Sequence, residues 1–194
     1  MRKLGVTEFL SLDGVMQAPA APDEDTEGGF RHGGWQQQYG DEVLLQAATA
    51  GMAEVDAYLF GRKTYEKMAA FWPTAPREIP FTDHLNNTRK YVASRTLTSV
   101  EWQNSTVLDG DVAEAVAKLK EQPGKGIGVL GSGELVQTLI EHDLVDEYFL
   151  LVCPIVLGSG KRLFREIGQI KKLNLVESKP TSTGSVILVY RPER

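Results

Sequence analysis

The chain has 194 residues, 42% of them hydrophobic and 24% charged, with a formal net charge of −5. That length and composition suit one globular domain, residues 1–194, with a core of its own. The acidic balance excludes nucleic acid and anionic membrane as main partners, and no run approaches the apolar length of a membrane span. Met1-Arg2-Lys3 leads directly into an apolar stretch with no small-residue cleavage site, so no signal peptide is read. The single Cys153 lies in an apolar run and cannot form an internal disulfide, which points to a buried, inert thiol in a cytoplasmic protein.

In chain order, Leu4 to Leu10 reads as a first strand. Residues 11 to about 40 are rich in Gly, Pro and acids, but Phe30, Trp35 and Tyr39 argue for a functional lid rather than a linker. Asp41 to Met52 has helical spacing, Ala57 to Phe60 is a strand, and Lys63 to Ala70 a helix that Phe71-Trp72-Pro73 ends. Residues 73 to 89 read as irregular. Lys90 to Ala93 and Ser105 to Leu108 are strands. Asp111 is an N-cap with acid in the first turn, opening a helix through Val116 and Leu119. Ile127 to Leu130 is a buried strand, and Leu135, Val136, Leu139 and Ile140 form a helical stripe. Glu147 to Val156 is a long strand. Lys172 to Glu177 and Ser185 to Tyr190 pair as a hairpin around Ser182-Thr183-Gly184. Alternating strands and helices followed by β structure predict an α/β fold: a mostly parallel sheet with helices on both faces and an antiparallel carboxyl-terminal edge.

Three segments share one design, an apolar run ending in small or basic residues before a helix-like pattern: Gly61-Arg62-Lys63-Thr64, Ser94-Arg95-Thr96 and Gly131-Ser132-Gly133. A helix start offers unpaired N–H groups and a positive dipole end, and a guanidinium grips phosphate through two parallel hydrogen bonds. Three such turns along one sheet edge suggest a ligand with several phosphates, best met by a phosphorylated dinucleotide. Two look-alikes fail. Gly126 to Gly131 matches G-x-G-x-x-G, but its glycines lie in the strand and not in the turn after it. Gly158-Ser159-Gly160-Lys161 resembles a P-loop end, yet Ile155 replaces the upstream glycine and Arg162 the Ser/Thr. His32, His84 and His142 are scattered, so no metal is assigned, and no nucleophile–base set can be assembled.

Gly61-Arg62-Lys63-Thr64 after Leu59-Phe60 resembles the strand–Gly-Arg-x-Thr–helix signature of the dihydrofolate reductase fold, and Val129 to Leu135 its glycine-pair turn. Ser11-Leu12-Asp13-Gly14-Val15, with Pro154 to Phe164, is similar to one branch: the reductase domain of the bifunctional riboflavin-biosynthesis deaminase/reductase and its stand-alone relatives. The resemblance implies a dihydrofolate reductase-like three-layer sandwich and NADPH as hydride donor. It implies Gly61, Arg62, Lys63 and Thr64 at the adenosine phosphates and Ser94 and Arg95 near the 2′-phosphate. Gly131, Ser132, Gly133, Glu134 and Leu135 would hold the pyrophosphate and nicotinamide end. Asp13, Gly14 and Val15 would line the substrate mouth, with Trp35 and Tyr65 as further substrate-facing candidates. Asp13 is the candidate catalytic residue, holding a substrate amine or hydroxyl, with turn chemistry of the Asp-Gly pair as its alternative role. It implies a small-molecule substrate and a homodimer through the carboxyl-terminal strands. True dihydrofolate reductases carry an acid on the first helix about sixteen residues before the signature glycine. Here that register holds Leu45-Gln46, so folate reduction is disfavoured. No H-x-E…C-x-x-C deaminase signature is present, which implies a stand-alone member. Expected activity is reduction of a heterocyclic metabolite. The alternatives are a non-catalytic nucleotide-binding protein of the same fold, or a pteridine or dihydrofolate reductase.

Overall fold

The structure is a computed structural model and describes residues 1–165 and 168–193. Strands β1 (Leu4–Ser11), β2 (Val55–Gly61), β3 (Arg89–Ala93), β4 (Ser105–Val107), β5 (Gly126–Leu130), β6 (Glu147–Cys153), β7 (Leu173–Pro180) and β8 (Val186–Pro192) form one sheet. Their order is β4-β3-β2-β5-β1-β6-β8-β7. The pairs from β4 to β6 run parallel, and β8 lies antiparallel between β6 and β7. Helices are α1 (Glu42–Ala53), α2 (Arg62–Phe71), α3 (Thr82–Asn87), α4 (Val112–Glu121) and α5 (Gly133–Glu141).

Alternation along the strands divides the core into layers. Leu4, Val6 and Leu10 of β1, Leu59 of β2 and Val129 of β5 pack with Val116 and Leu119 of α4 and Leu135, Val136 and Leu139 of α5. Tyr58 and Phe60, the neighbours of Leu59, point the opposite way into a cluster with Tyr65 of α2 and Leu85 of α3. Phe9 and Leu151 meet Val43, Leu44 and Ala47 of α1 on that second face, together with Phe30 and Trp35. Helices therefore cover both faces, as the alternating pattern predicts, and the dihydrofolate reductase-like sandwich is the observed architecture.

Asp41 caps α1 by accepting the Leu44 N–H at 2.8 Å, and Asp111 caps α4 by accepting the Glu114 N–H at 3.0 Å. Several expectations need adjusting. The long strand expected to Val156 stops at Cys153, and Tyr148, Leu150, Leu151 and Cys153 are buried between neighbouring strands. The spare β surface lies instead on the edge strand β7, where Leu175 and Val176 are exposed. The stretch expected to be irregular contains α3, a helix of six residues too short to show a period. No helix follows β3, because Ser94 to Asn104 carry only bends and turns before β4.

Residues 12–40 form a folded lid. Gln17 Nε2 donates to the carbonyls of Asp25 and Glu27, and its Oε1 accepts the Lys161 N–H at 3.0 Å. Trp35 donates its indole N–H to the Gln17 carbonyl at 2.8 Å, which satisfies a buried polar tip. The burial of Phe30 alone stabilises this arrangement by about 2–3 kcal/mol.

Candidate functional site

A cleft of about 2180 Å³ contains every residue expected at the dinucleotide: Gly61 to Thr64, Ser94 and Arg95, and Gly131 to Leu135. Two strand-to-helix turns meet there. The Gly61 N–H donates to Ser132 Oγ at 3.0 Å, and the Gly131 N–H donates to the Thr7 carbonyl at 3.2 Å. Gly131 and Ser132 are left-handed, with φ of 59° and 69°, a conformation that costs glycine nothing and reverses the chain sharply into α5. A methyl on Gly131 would lie 3.8 Å from Thr64, so the two turns are neighbours. Neither α2 nor α5 has a side-chain cap, unlike α1 and α4. Their first-turn N–H groups and positive dipole ends thus face a shared opening.

The cations around this opening differ in state. Arg62 is paired with Glu66 one turn on, at 3.0 Å, and Lys63 with Glu27 of the lid, at 2.7 Å. Arg95 is exposed and makes no ion pair or side-chain hydrogen bond among the described residues. Ser94 Oγ accepts the N–H groups of Thr96 and Leu97, so this third turn is held by a side chain and not by a helix start. That corrects the shared design read from sequence, in which all three segments open helices. The donor set, two uncapped starts and a free guanidinium, fits the phosphates of a dinucleotide.

The expected substrate residues fare differently. Asp13 accepts from Ser11 Oγ at 2.7 Å and from the N–H groups of Leu157 and Gly158 at 3.1 and 2.9 Å. The Ser11 bond, followed by the two backbone donors, holds its carboxyl down at about 2. Asp13 therefore ties the Ser11–Gly14 turn to the segment after β6, and no proton rests on it near neutral pH. Val15 is fully buried against Gly160 and Phe30, and Gly14 gives its carbonyl to Leu163. Trp35 is buried in the lid cluster, and Tyr65 accepts the Trp102 N–H beneath α2. None of these five lines the cleft. Their aromatic and small side chains are taken up in packing, which sequence alone does not separate from binding.

Other residues line it instead. Met16, Gln17, Glu24, Asp25 and Glu27 come from the lid, and Glu8 from the middle of β1. Glu8 is 3% exposed, its Oε1 has no hydrogen-bond partner, and burial, with the Glu24 charge adding, pushes its carboxyl well above the usual range. A single acid inside an apolar-alternating strand was the available signal, and it passes for an edge residue when neighbouring strands are unknown. Lys161 fastens the lid through Asp25 and Glu27, both at 2.6 Å. No group of metal-ligating side chains occurs among the described residues, and no described helix is long and apolar enough to cross a membrane.

A family model described as the RibD C-terminal domain matches residues 2–187. The chain is similar to the uncharacterized protein YyaP of Bacillus subtilis (strain 168), at 35% identity over 142 residues, covering 71% of this chain and 74% of that one. In structure it is similar to a candidate riboflavin biosynthesis protein of Shewanella sp. PV-4, with a TM-score of 0.73, 22% identity and 99% of both chains covered. It is also similar to a diaminohydroxyphosphoribosylaminopyrimidine deaminase/5-amino-6-(5-phosphoribosylamino)uracil reductase of Thermotoga maritima. That match has a TM-score of 0.65 at 15% identity and covers 99% of this chain and 57% of the other.

Proposed function

The chain belongs to the RibD C-terminal domain family, and we propose that it is an NADPH-dependent reductase of a small heterocyclic metabolite, with the ribosylaminopyrimidine of riboflavin synthesis as reference substrate. The observation that carries this reading is the meeting of two uncapped helix starts at Gly61 and Ser132, with Arg95 unpaired on the same cleft. When bound, the reduced nicotinamide supplies a hydride. The chain's own residues do the rest. The first-turn N–H groups of α2 and α5 hold the phosphates, Arg95 takes the 2′-phosphate that separates NADPH from NADH, and the lid excludes water. Within α1 the cleft-lining side chains, Leu44, Leu45, Ala47, Ala48 and Met52, include no acid, and Asp41 at its cap is tied to the Leu44 N–H and to Ser182, which disfavours a folate-type ligand.

Fluorescence titration with NADPH and NADH tests the cofactor. NADPH is expected to bind the more tightly, and Arg95→Ala to weaken NADPH by about tenfold or more while sparing NADH, since a charge-assisted contact is worth about 1.5–3 kcal/mol. Equal affinities in the wild type, or an Arg95→Ala variant that keeps its preference, would refute the reading. The exposed edge strand β7, with Leu175 and Val176, supports a homodimer through the carboxyl-terminal strands. Light scattering that returned only 21.4 kDa at micromolar concentration would remove it.

A further inference from the structure

Glu8 stands on the β1 face that packs under α5. It is one residue beyond Thr7, whose carbonyl binds the Gly131 N–H, so it lies level with the turn that opens α5. Val6 and Leu10, two positions to either side, are buried in the α4–α5 cluster along with Met16 and Leu135. Met16 packs directly on Gly133, where an added Cβ would come within 2.8 Å of its sulfur. Glu8 thus has apolar neighbours along its strand, an opening onto the cleft, no ion pair among the described residues, and one oxygen without a hydrogen-bond partner.

This placement has no packing rationale. A leucine at position 8 would fill similar space with no polar group to bury, and an unpartnered buried polar group costs about 1–3 kcal/mol. Such a group in a native protein calls for an explanation, and its opening onto the cleft points to a functional one. Glu24 of the lid is the charged neighbour that acts on Glu8, and its negative charge opposes ionisation of the buried carboxyl in the same sense as burial does. Burial and the Glu24 charge thus both favour the carboxylic-acid form, which has an O–H to donate at the floor of the cleft. The lid carboxylates Asp25 and Glu27, and Asp13 outside the cleft, do not share this state. Asp25 and Glu27 are held ionised by Lys161, and Asp13 is occupied by backbone donors.

We propose that Glu8 is the proton donor of the reduction, touching a carbonyl or imine of the substrate where the cleft floor meets the turn at Gly131–Gly133. The proposal rests on the reductase reading above, with a reduced nicotinamide nucleotide as the named reductant. A hydride and its electron pair add to the carbon of the C=O or C=N bond. The π pair moves to oxygen or nitrogen, and that atom takes the proton from the Glu8 carboxyl. Glu8 is left as a carboxylate, and water at the cleft mouth returns the proton. The balance is one hydride and one proton consumed per turnover. The substrate class follows: a compound with a polarised C=O or C=N bond, whose heteroatom accepts a hydrogen bond from a neutral acid.

The test uses the whole chain, Glu8→Gln and Glu8→Asp, with NADPH and the ribosylaminopyrimidine as probes. Glu8→Gln keeps the shape but cannot release a proton. It is expected to bind NADPH as the wild type does, to oxidise it about 10²–10⁴-fold more slowly, and to lose the wild-type fall in rate as pH rises through the Glu8 titration. Glu8→Asp should recover part of the rate. Two readouts need no turnover. Difference infrared spectra of the unliganded protein at pH 7 should show a carboxylic-acid carbonyl band that Glu8→Gln lacks. Unfolding measured against pH should show wild-type stability declining above the ordinary carboxyl value of 4.5, because the folded state binds the extra proton, and a flatter profile for Glu8→Gln. An ionised Glu8 in the infrared spectrum would overturn the proposal, as would a Glu8→Gln variant with wild-type rate and pH profile, or a wild type that binds NADPH but reduces neither the pyrimidine nor dihydrofolate. Absence of NADPH binding in the wild type would instead fell the cofactor reading, with the infrared band still deciding the state of Glu8.

Discussion

The two walls of the cleft are built on different principles. The wall made by the turns at Gly61–Thr64 and Gly131–Leu135 offers backbone: glycine, small side chains, two helix starts without caps. The wall made by the lid and β1 offers side chains held by long-range contacts, among them Gln17 bonded to Lys161, Lys161 paired to Asp25 and Glu27, and Glu8 buried without a partner. The first wall can present its donors with little support from elsewhere, since local conformation aims them. The second exists only once distant segments have met. One wall is suited to a constant part, the phosphates of a cofactor, and the other to whatever must be told apart.

A glycine-to-alanine change in the packing that supports the lid and one on the turn wall should separate the two walls, and this is the largest effect expected. Gly160 has φ of 121°, and a Cβ there would come within 2.6 Å of Val15 and 2.8 Å of Phe30. Gly160→Ala combines backbone strain with overpacking, about 1–3 kcal/mol each, and should lower the unfolding temperature by on the order of 10 °C. Gly131→Ala meets only Thr64 at an ordinary 3.8 Å, with φ of 59°. It should lose little more than about 1 kcal/mol of stability yet weaken nucleotide binding, because its methyl group occupies the approach to the backbone. Thermal melts and nucleotide titration of both variants decide it. Similar losses of stability in the two would show that the walls do not differ in kind.

The same distinction explains what the sequence discloses. Strand–Gly-Arg-x-Thr–helix and the Gly131–Gly133 turn are legible because their backbone geometry depends on neighbours a few residues away, and the structure brings all of them to one cleft. The caps at Asp41 and Asp111, the layer order and the terminal hairpin follow from the same short-range signals and hydrophobic periods. Ser94–Arg95 misleads because a basic turn after a strand resembles a helix start, and only the following residues, with Ser94 bonding back to Thr96 and Leu97, reveal otherwise. Asp13 looks like a substrate contact in the chain because, beside the nearby Ser11, its backbone partners at Leu157 and Gly158 lie more than 140 residues away. Trp35 and Tyr65 read as substrate-facing candidates for a similar reason: their hydrogen-bond partners, Gln17 and Trp102, are not their chain neighbours. Glu8 is illegible until β1 is known to lie between β5 and β6 under α5.

The smallest expected effect lies where the walls touch. Glu27 of the lid reaches across to Lys63 at the start of α2, at 2.7 Å, while also holding Lys161 at 2.6 Å. Lys63 is therefore neutralised by a lid carboxylate in the position where a ligand phosphate would compete for it. Glu27→Gln removes that competitor, so NADPH affinity should rise slightly at low salt. The gain should fade near physiological ionic strength, where exposed charges are screened over about 8 Å. The hydrogen bonds from Lys161 and Lys63 hold the Glu27 carboxyl down at about 2. A group depressed this way keeps its contribution above its unfolded value and loses it only as pH falls toward 2, so the wild-type contact stays charged across the neutral range and the difference between the two proteins should not vary from pH 6 to 8. Titrations at two salt concentrations and two pH values measure it. A Glu27→Gln variant that bound NADPH more weakly would mean that Glu27 serves the lid alone, and that Lys63 contributes nothing to the phosphate wall.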